Sequence, residues 1–285
     1  MPLNALALIL VAAIMHAGWN LLLKQAKDKQ AFLWWALLIG TVCFAVIFVS
    51  QLALPLLIWP YVVGSAIMET GYIITLTWAY TIDDFSLIYP IARGAAPVLL
   101  VLWTTLFLGE PPRPGGLVGI GLLIIGLIVV GSSSIWSHLL RAKFSARGIS
   151  AALIAALCIS LYTTIDGAAA HLVAPAPYTV LVLGLSAVLL LPFVLLRYGQ
   201  RLLVSTLRAD WLRIILVGVV MLLTYILVLQ AYAISRVSYA GSVREVSIVF
   251  AALLGWRLLG ERFGVARIIG AILISGGILI IAIFG

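Results

Sequence analysis

The sequence predicts an all-α integral membrane protein of ten transmembrane helices arranged as two inverted five-helix repeats. Three observations predict it. Of 285 residues, 65% are hydrophobic and 9% charged, with mean hydropathy +1.26. Charges this sparse cannot cover the surface of a water-soluble domain. Apolar runs long enough to cross a bilayer as helices recur along the whole chain. The chain also matches itself across its middle at an offset of 151 residues.

The expected spans lie at about 3–23, 31–52, 57–80, 85–108, 115–135, 148–170, 178–197, 212–233, 239–258 and 265–284. The first opens on MPLNALALIL, with no Lys or Arg before Lys24. It lacks the basic start of a secretory signal and reads as a retained helix. Most loops are short, so neighbouring helices run antiparallel. Residues 1–135 form the first repeat, 136–147 a basic cytoplasmic connector and 148–285 the second repeat. Cys43 and Cys158 fall inside spans and read as small apolar fillers rather than a disulfide or metal pair. Trp34, Trp35, Trp59, Trp136, Trp211 and Trp256 lie near span ends and read as interface anchors.

The net charge of +8 does not indicate nucleic acid, because its distribution follows the spans. One side of the bilayer receives thirteen basic residues: Lys24, Lys27, Lys29, Arg141, Lys143, Arg147, Arg197, Arg201, Arg208, Arg213, Arg257, Arg262 and Arg267. The other receives Arg113 and Arg236, and Arg93 and Arg244 fall within helices. The basic side is expected to be cytoplasmic, most simply that of a bacterial plasma membrane, with both termini outside. The basic loops themselves read as topology and headgroup contact.

At the offset of 151, Arg93 aligns with Arg244, Gly109–Glu110 with Gly260–Glu261, Gly119 with Gly270, and Gly126 with Gly277. AYTI at Ala79 meets AYAI at Ala231, and AAIMHAGWN at Ala12 more weakly meets AALCISLYT at Ala155. Five helices per half is odd, so the second half enters the membrane inverted. Inverted repeats are a recurring plan of secondary transporters, with substrate near the midplane between the halves. The two five-helix halves, the GE closing the fourth and ninth helices, the Gly-rich fifth and tenth helices and the start HAGWNLLLK resemble the drug/metabolite transporter superfamily, EamA-type branch. The resemblance covers essentially the whole chain. It implies a ten-helix permease for small metabolites working by alternating access. Members include exporters of amino acids and relatives that carry sugar phosphates and nucleotide sugars. Many members keep both termini in the cytoplasm, whereas the charge count here gives the opposite.

Candidate scaffold residues separate from candidate site residues. Gly119 and Gly126 share a helix face, as do Gly270 and Gly277, and suit close packing between the fifth and tenth helices or a dimer contact. Glu110 and Glu261 sit at helix ends and suit caps or salt bridges. Arg93 and Arg244 are different. A mid-helix arginine costs about 2.5–3.5 kcal/mol on insertion scales and must face acceptors in the bundle. Tyr89, Arg93 and Pro97 share a face, and Pro97 leaves the carbonyl of Arg93 without its helical donor. Each arginine either ties helices through a carboxylate or captures an anionic substrate in its planar fork; for Arg244, the adjacent Glu245 could help only through a neighbouring helix. Inversion places the two on opposite sides of the midplane.

Glu69 lies mid-span, and its repeat counterpart is near the apolar Met221. It either pairs with Arg93 or serves an ammonium group or a coupling proton, and Tyr72 continues its face. Asp166 falls near a span end and reads as reaching the headgroups. His16, Trp19 and Asn20 cluster in the first helix, with His16 a second proton candidate. Tyr225 and Tyr232 share a face of the eighth span and suit the cavity wall.

No catalytic constellation, metal-ligand spacing or phosphate-cradling loop after a strand is present, so no enzyme activity, metal or cofactor is expected. The favoured reading is a secondary carrier of a small polar metabolite with an anionic group, an amino acid or similar zwitterion. The expected partners are that substrate, the lipid bilayer and protons as coupling ion, in a monomer or homodimer, with no nucleic acid. An organic anion or sugar-phosphate exchanger is the alternative. A membrane enzyme or lipid-headgroup protein would instead gather polar residues at one membrane face.

Overall fold

The computed structural model describes residues 1–82, 85–139, 146–259 and 265–285; at 80–81, 85–87, 89–90, 131–139, 252, 255–256, 258–259 and 267 it describes the backbone alone. Among the described residues the chain is helical, with no strand. The helices are α1 (Leu3–Lys24), α2 (Lys29–Ile47), α3 (Trp59–Ile82), α4 (Phe85–Phe107), α5 (Pro114–Leu139), α6 (Ala146–Ala170), α7 (Pro175–Ile234), α8 (Val237–Val243), α9 (Ser247–Leu259) and α10 (Val265–Phe284). Among the described residues, five helical stretches are long and apolar enough to cross a membrane.

Polarity is inside out. Large apolar side chains such as Val46, Leu106, Leu196, Leu212 and Leu279 are exposed on the outside, while Arg93, Asp166, Ser186, Ser242 and Glu245 are buried. An apolar exterior around a polar interior suits lipid as the solvent and makes this an integral membrane protein.

Two elements depart from the expected spans. The seventh and eighth form one helical stretch, α7, broken where Gly199 (φ 71°, ψ 157°) and Asp210 (φ −124°, ψ 21°) leave helical geometry. Gly199 holds the left-handed φ that a side chain disfavours. Between the two breaks, Leu203 and Leu207 pack against residues of α1 and α2, including Leu22, Trp34 and Trp35. The ninth span is divided by a 3-10 turn, Arg244–Val246, between α8 and α9. Such mid-helix tightening often marks a functional hinge or strain.

The GE motif has a local cause. Gly109 at φ 64° follows the end of α4, and the Glu110 N–H reaches back to the Thr104 carbonyl at 3.1 Å, satisfying one of the helix's last carbonyls. Glu110 Oε2 then accepts the Val237 N–H at 2.9 Å, capping the start of α8. Burial pushes the Glu110 carboxyl above its ordinary pKa. The counterpart Glu261 lies outside the described residues, as does Arg262.

α2 packs along α7, α5 along α10, α3 and α4 on α6, and α1 on α7 and α9. The glycine faces lie between α5 and α10. A Cβ on Gly126 would stand 2.8 Å from the Gly270 carbonyl oxygen, and one on Gly277 would stand 2.6 Å from that of Gly119. This resolves the glycine faces as packing within the chain. Trp34 and Trp35 are not interface anchors. Trp34 is buried and donates to the Ala187 carbonyl at 3.0 Å, and Trp35 donates to that of Leu203 at 2.9 Å. An indole N–H turned into the bundle needs an acceptor there, and α7 supplies both. Trp59 and Trp211 are exposed, as anchors should be, and the side chains of Trp136 and Trp256 lie outside the described residues.

Candidate functional site

α4, α6, α8 and the 3-10 turn converge inside the bundle on a small cavity of about 10 Å³, roughly one water. Pro97, Ser160, Thr163, Gly241, Arg244 and Glu245 are among its walls. α4 runs unbroken through Pro97. Thr163 Oγ1 and the nearby Tyr232 hydroxyl are buried without hydrogen-bond partners among the described residues. Ala96, Leu100 and Ile159 complete the walls, so the cavity is mixed in polarity, with Thr163 its unpartnered hydroxyl among the described residues.

Arg93 projects from α4, and one of its terminal nitrogens donates to both oxygens of Glu245, at 3.0 and 3.2 Å. The pair is buried and crosses between the halves. Its partner is thus not Glu69, as one reading of the sequence had it. The rotation of α4 turns Arg93 to the 3-10 turn rather than to α3. The two arginine positions, expected on either side of the midplane, are drawn together by this bond.

Arg244 has a different setting. It is only half-buried, it lines the cavity, and among the described residues no carboxylate lies within ion-pair distance of it. The repeat explains why. Glu245, which neutralises Arg93, aligns with Gly94 in the first half. The carboxylate that inverted symmetry would offer Arg244 is missing, and a Cβ at Gly94 would meet nothing within 4 Å.

Two further carboxylates reach this region. Glu69 on α3 is half-buried, and its nearest described donor is the Ser186 hydroxyl at 3.4 Å. That hydroxyl already donates to the Val182 carbonyl at 2.9 Å, so Glu69 is weakly held. Asp166 on α6 is 1% exposed and accepts from Tyr178 at 2.8 Å and from Tyr225. Its expected reach into the headgroups is corrected: α3 and α7 enclose it. Arg244 lies within electrostatic range of both carboxylates and of His16. The group thus brings one guanidinium and two carboxyl groups together with no ion pair between them among the described residues.

The remaining candidates divide. Tyr72 meets Tyr162 with ring centroids 6.2 Å apart, at the edge of this region. The Tyr225 hydroxyl is committed to Asp166 rather than open to the cavity. His16 lies edge-on to Trp19 at 4.7 Å, and Asn20 donates to the His16 carbonyl at 2.7 Å, which ties it to its own helix. The Trp19 indole N–H is buried without a described partner. The Tyr89 side chain lies outside the described residues. Sequence reasoning missed the buried Asp166–Tyr178–Tyr225 cluster, because nothing in the spacing of α6 tells which way Asp166 faces.

The model of the EamA-like transporter family matches the chain twice, over residues 3–132 and 146–283. The chain belongs to that family. It is accordingly a membrane transporter of the drug/metabolite transporter class. A crystal structure of another protein superposes on this EamA-like transporter with TM-score 0.79, covering 99% of each chain. At 18% identity that likeness shows the fold alone. No curated protein matches the sequence.

Proposed function

We propose that this EamA-like transporter is a secondary-active carrier of a small polar metabolite with one anionic group, an amino acid or similar zwitterion. In this reading ten spans form two inverted five-helix repeats, 1–135 and 148–285, joined by the connector 136–147, and they work by alternating access. The helix contacts support the inversion. Exchanging the halves carries the α4–α6 contact onto the α1–α9 contact and the α3–α6 contact onto the α1–α7 contact, while α5–α10 maps onto itself.

The observation that carries the substrate class is Arg244, which lines the cavity beside the unpartnered Thr163 hydroxyl and has no described carboxylate partner. A substrate carboxylate takes the place of the Glu245 equivalent that Gly94 does not supply. Glu69 faces the substrate ammonium group, and Tyr72, Trp19 and Asn20 border the path. Arg93 is committed to Glu245, which leaves one guanidinium for the ligand. That favours a single carboxylate over a phosphate dianion, which Glu69 would also repel.

The test is uptake of a labelled metabolite panel into proteoliposomes, with and without a pH gradient. A guanidinium binds a carboxylate through a planar two-pronged contact that Lys cannot reproduce. Arg244→Lys should therefore weaken binding of the transported compound by roughly ten- to a hundred-fold. Unchanged affinity in Arg244→Lys would remove the arginine from the site. Transport of phosphate esters but no zwitterion would favour the exchanger reading.

The basic loops are cytoplasmic and both termini outside in this reading. The Met1 ammonium donates to the Ala282 carbonyl at 3.2 Å, and Arg113 donates to that of Gly285 at 3.4 Å. That supports both termini lying on the side of Arg113. In a chain whose native Cys43 and Cys158 are replaced by Ser, Lys27→Cys and Val204→Cys should label only after permeabilisation. Labelling in intact cells would reverse the orientation.

A further inference from the structure

Asp166 is used by nothing described so far. It lies near the C-terminal end of α6, enclosed by α3 and α7, and both of its oxygens are occupied by neutral donors. Oδ1 accepts from the Tyr178 hydroxyl at 2.8 Å, and Oδ2 accepts from the Tyr225 hydroxyl. No basic side chain lies within ion-pair distance of it among the described residues. Tyr178 is fully buried, and its oxygen is also 3.4 Å from the Tyr61 carbonyl on α3. The hydroxyl thus has two acceptors within reach, one on α6 and one on α3.

The elements packed on α6 bring the following titratable and charged groups to this region. α3 brings Glu69, Tyr61 and Tyr72. α4 brings Arg93, which is paired with Glu245, and α8 brings Tyr239, whose hydroxyl accepts the Arg113 N–H. α7 brings Tyr178, Tyr225 and Tyr232, and the turn after α8 brings Arg244. His16 approaches from α1 and Tyr162 from α6 itself. Once the Arg93–Glu245 pair is set aside, Arg244 faces Glu69 and Asp166. Two carboxylates at depth in the bundle, one buried and one half-buried, against one arginine leave a net negative charge inside the bilayer unless one takes up a cation.

We propose that Asp166 is a proton-binding site whose protonation is read by Tyr178. In the ionised state both tyrosines donate to the carboxylate. When Asp166 takes a proton from water, the new O–H donates to the Tyr178 oxygen. The Tyr178 hydrogen turns to the Tyr61 carbonyl, and that contact tightens. One proton is gained and no other bond is broken. The switch transfers a hydrogen bond from α6 to α3, and α3 carries Glu69, so protonation is coupled to the helix that faces the substrate site. A proton suits this cluster better than a metal cation. Both tyrosine hydrogens point at the carboxylate, so the hydroxyl lone pairs do not converge with its oxygens on a common centre. Among the described residues no group of three His, Cys, Asp or Glu gathers to hold a metal.

The coupling role rests on the carrier reading, but the proton site does not, and the experiment separates them. The full-length purified protein is titrated in detergent and followed by infrared difference spectroscopy, which reads the carbonyl band of a protonated carboxyl directly. The wild type should gain such a band on acidification. Asp166→Asn should lose it, and Glu69→Gln should keep it. Tyr178→Phe removes a donor that favours the ionised form, so the midpoint should rise by about one to two pH units. If Asp166→Asn does not yield folded protein, the midpoints of Tyr178→Phe and Tyr225→Phe decide the matter alone. A band that survives in Asp166→Asn and vanishes in Glu69→Gln overturns the proposal, as does a midpoint unmoved by Tyr178→Phe. A midpoint that moves when choline replaces sodium overturns the proton in favour of a metal cation. A titrating Asp166 in a protein that accumulates no metabolite under a pH gradient would leave the site standing and remove the carrier reading.

Discussion

The two repeat-related arginines occupy the same register in their halves and meet opposite fates. Arg93 is buried against Glu245 with bonds of 3.0 and 3.2 Å to its carboxylate. Arg244 borders the small cavity, and Gly94 stands where the matching carboxylate would be. The duplication supplies two equivalent positions, and a single residue difference, Glu245 against Gly94, pairs one arginine with a carboxylate and leaves the other without one among the described residues. A strictly symmetric chain would neutralise both arginines internally or expose both. In the proposed reading, asymmetry at one residue lets the repeat keep a tie between its halves and still present a binding cation.

The largest effect expected from breaking this comparison is at Glu245. Glu245→Gln leaves the Arg93 guanidinium buried without its counter-charge, and loss of one member of a buried pair costs about 3–5 kcal/mol. The melting temperature in detergent should fall sharply. Adding Arg93→Gln should recover most of the loss, because the uncompensated charge is removed. Arg244→Gln breaks no described ion pair and should cost clearly less than Glu245→Gln. Equal losses for Glu245→Gln and Arg244→Gln would show that the two arginines are alike after all.

The sequence carried the helical membrane architecture because a bilayer imposes long apolar runs that no tertiary contact can mask. It also carried the glycine faces, since close backbone approach needs small residues wherever helices touch. Partner choice was not legible. The sequence names Glu69 as the carboxylate for Arg93 and offers Glu245 only to Arg244, and the decision lies in how α4 and the turn at Arg244 rotate across the halves. Hydrophobic periodicity fixes that rotation poorly when a helix is apolar on every side. Asp166 misled for a related reason. Distance from a span end gives depth but not direction, and the tyrosines that enclose it come from the two ends of α7, 12 and 59 residues along the chain. Trp34 and Trp35 show the same limit, since an indole near a helix end serves lipid or a neighbouring carbonyl equally well.

The smallest change in stability is expected at Gly94, and it sharpens the comparison most. A Cβ there meets nothing within 4 Å, whereas one on Gly277 would lie 2.6 Å from a backbone oxygen of α5. Gly94→Ala should be neutral or stabilising by up to about 1 kcal/mol, since alanine has less freedom to lose in a helix. Gly277→Ala should instead cost about 1–3 kcal/mol through overpacking. Gly94→Glu goes further and restores the carboxylate that the first half lacks. If its side chain reaches Arg244 as Glu245 reaches Arg93, the new pair roughly balances its own desolvation, so the melting temperature should change little. Substrate affinity should nevertheless fall, because the chain's own carboxylate now competes for the guanidinium. Gly94→Gln is the control, with similar volume and no charge. Affinity lost in Gly94→Glu and largely kept in Gly94→Gln assigns the effect to occupation of Arg244. Equal losses in both would mean that bulk at position 94 obstructs the path, and the vacancy opposite Arg244 would then have no part in recognising the anion.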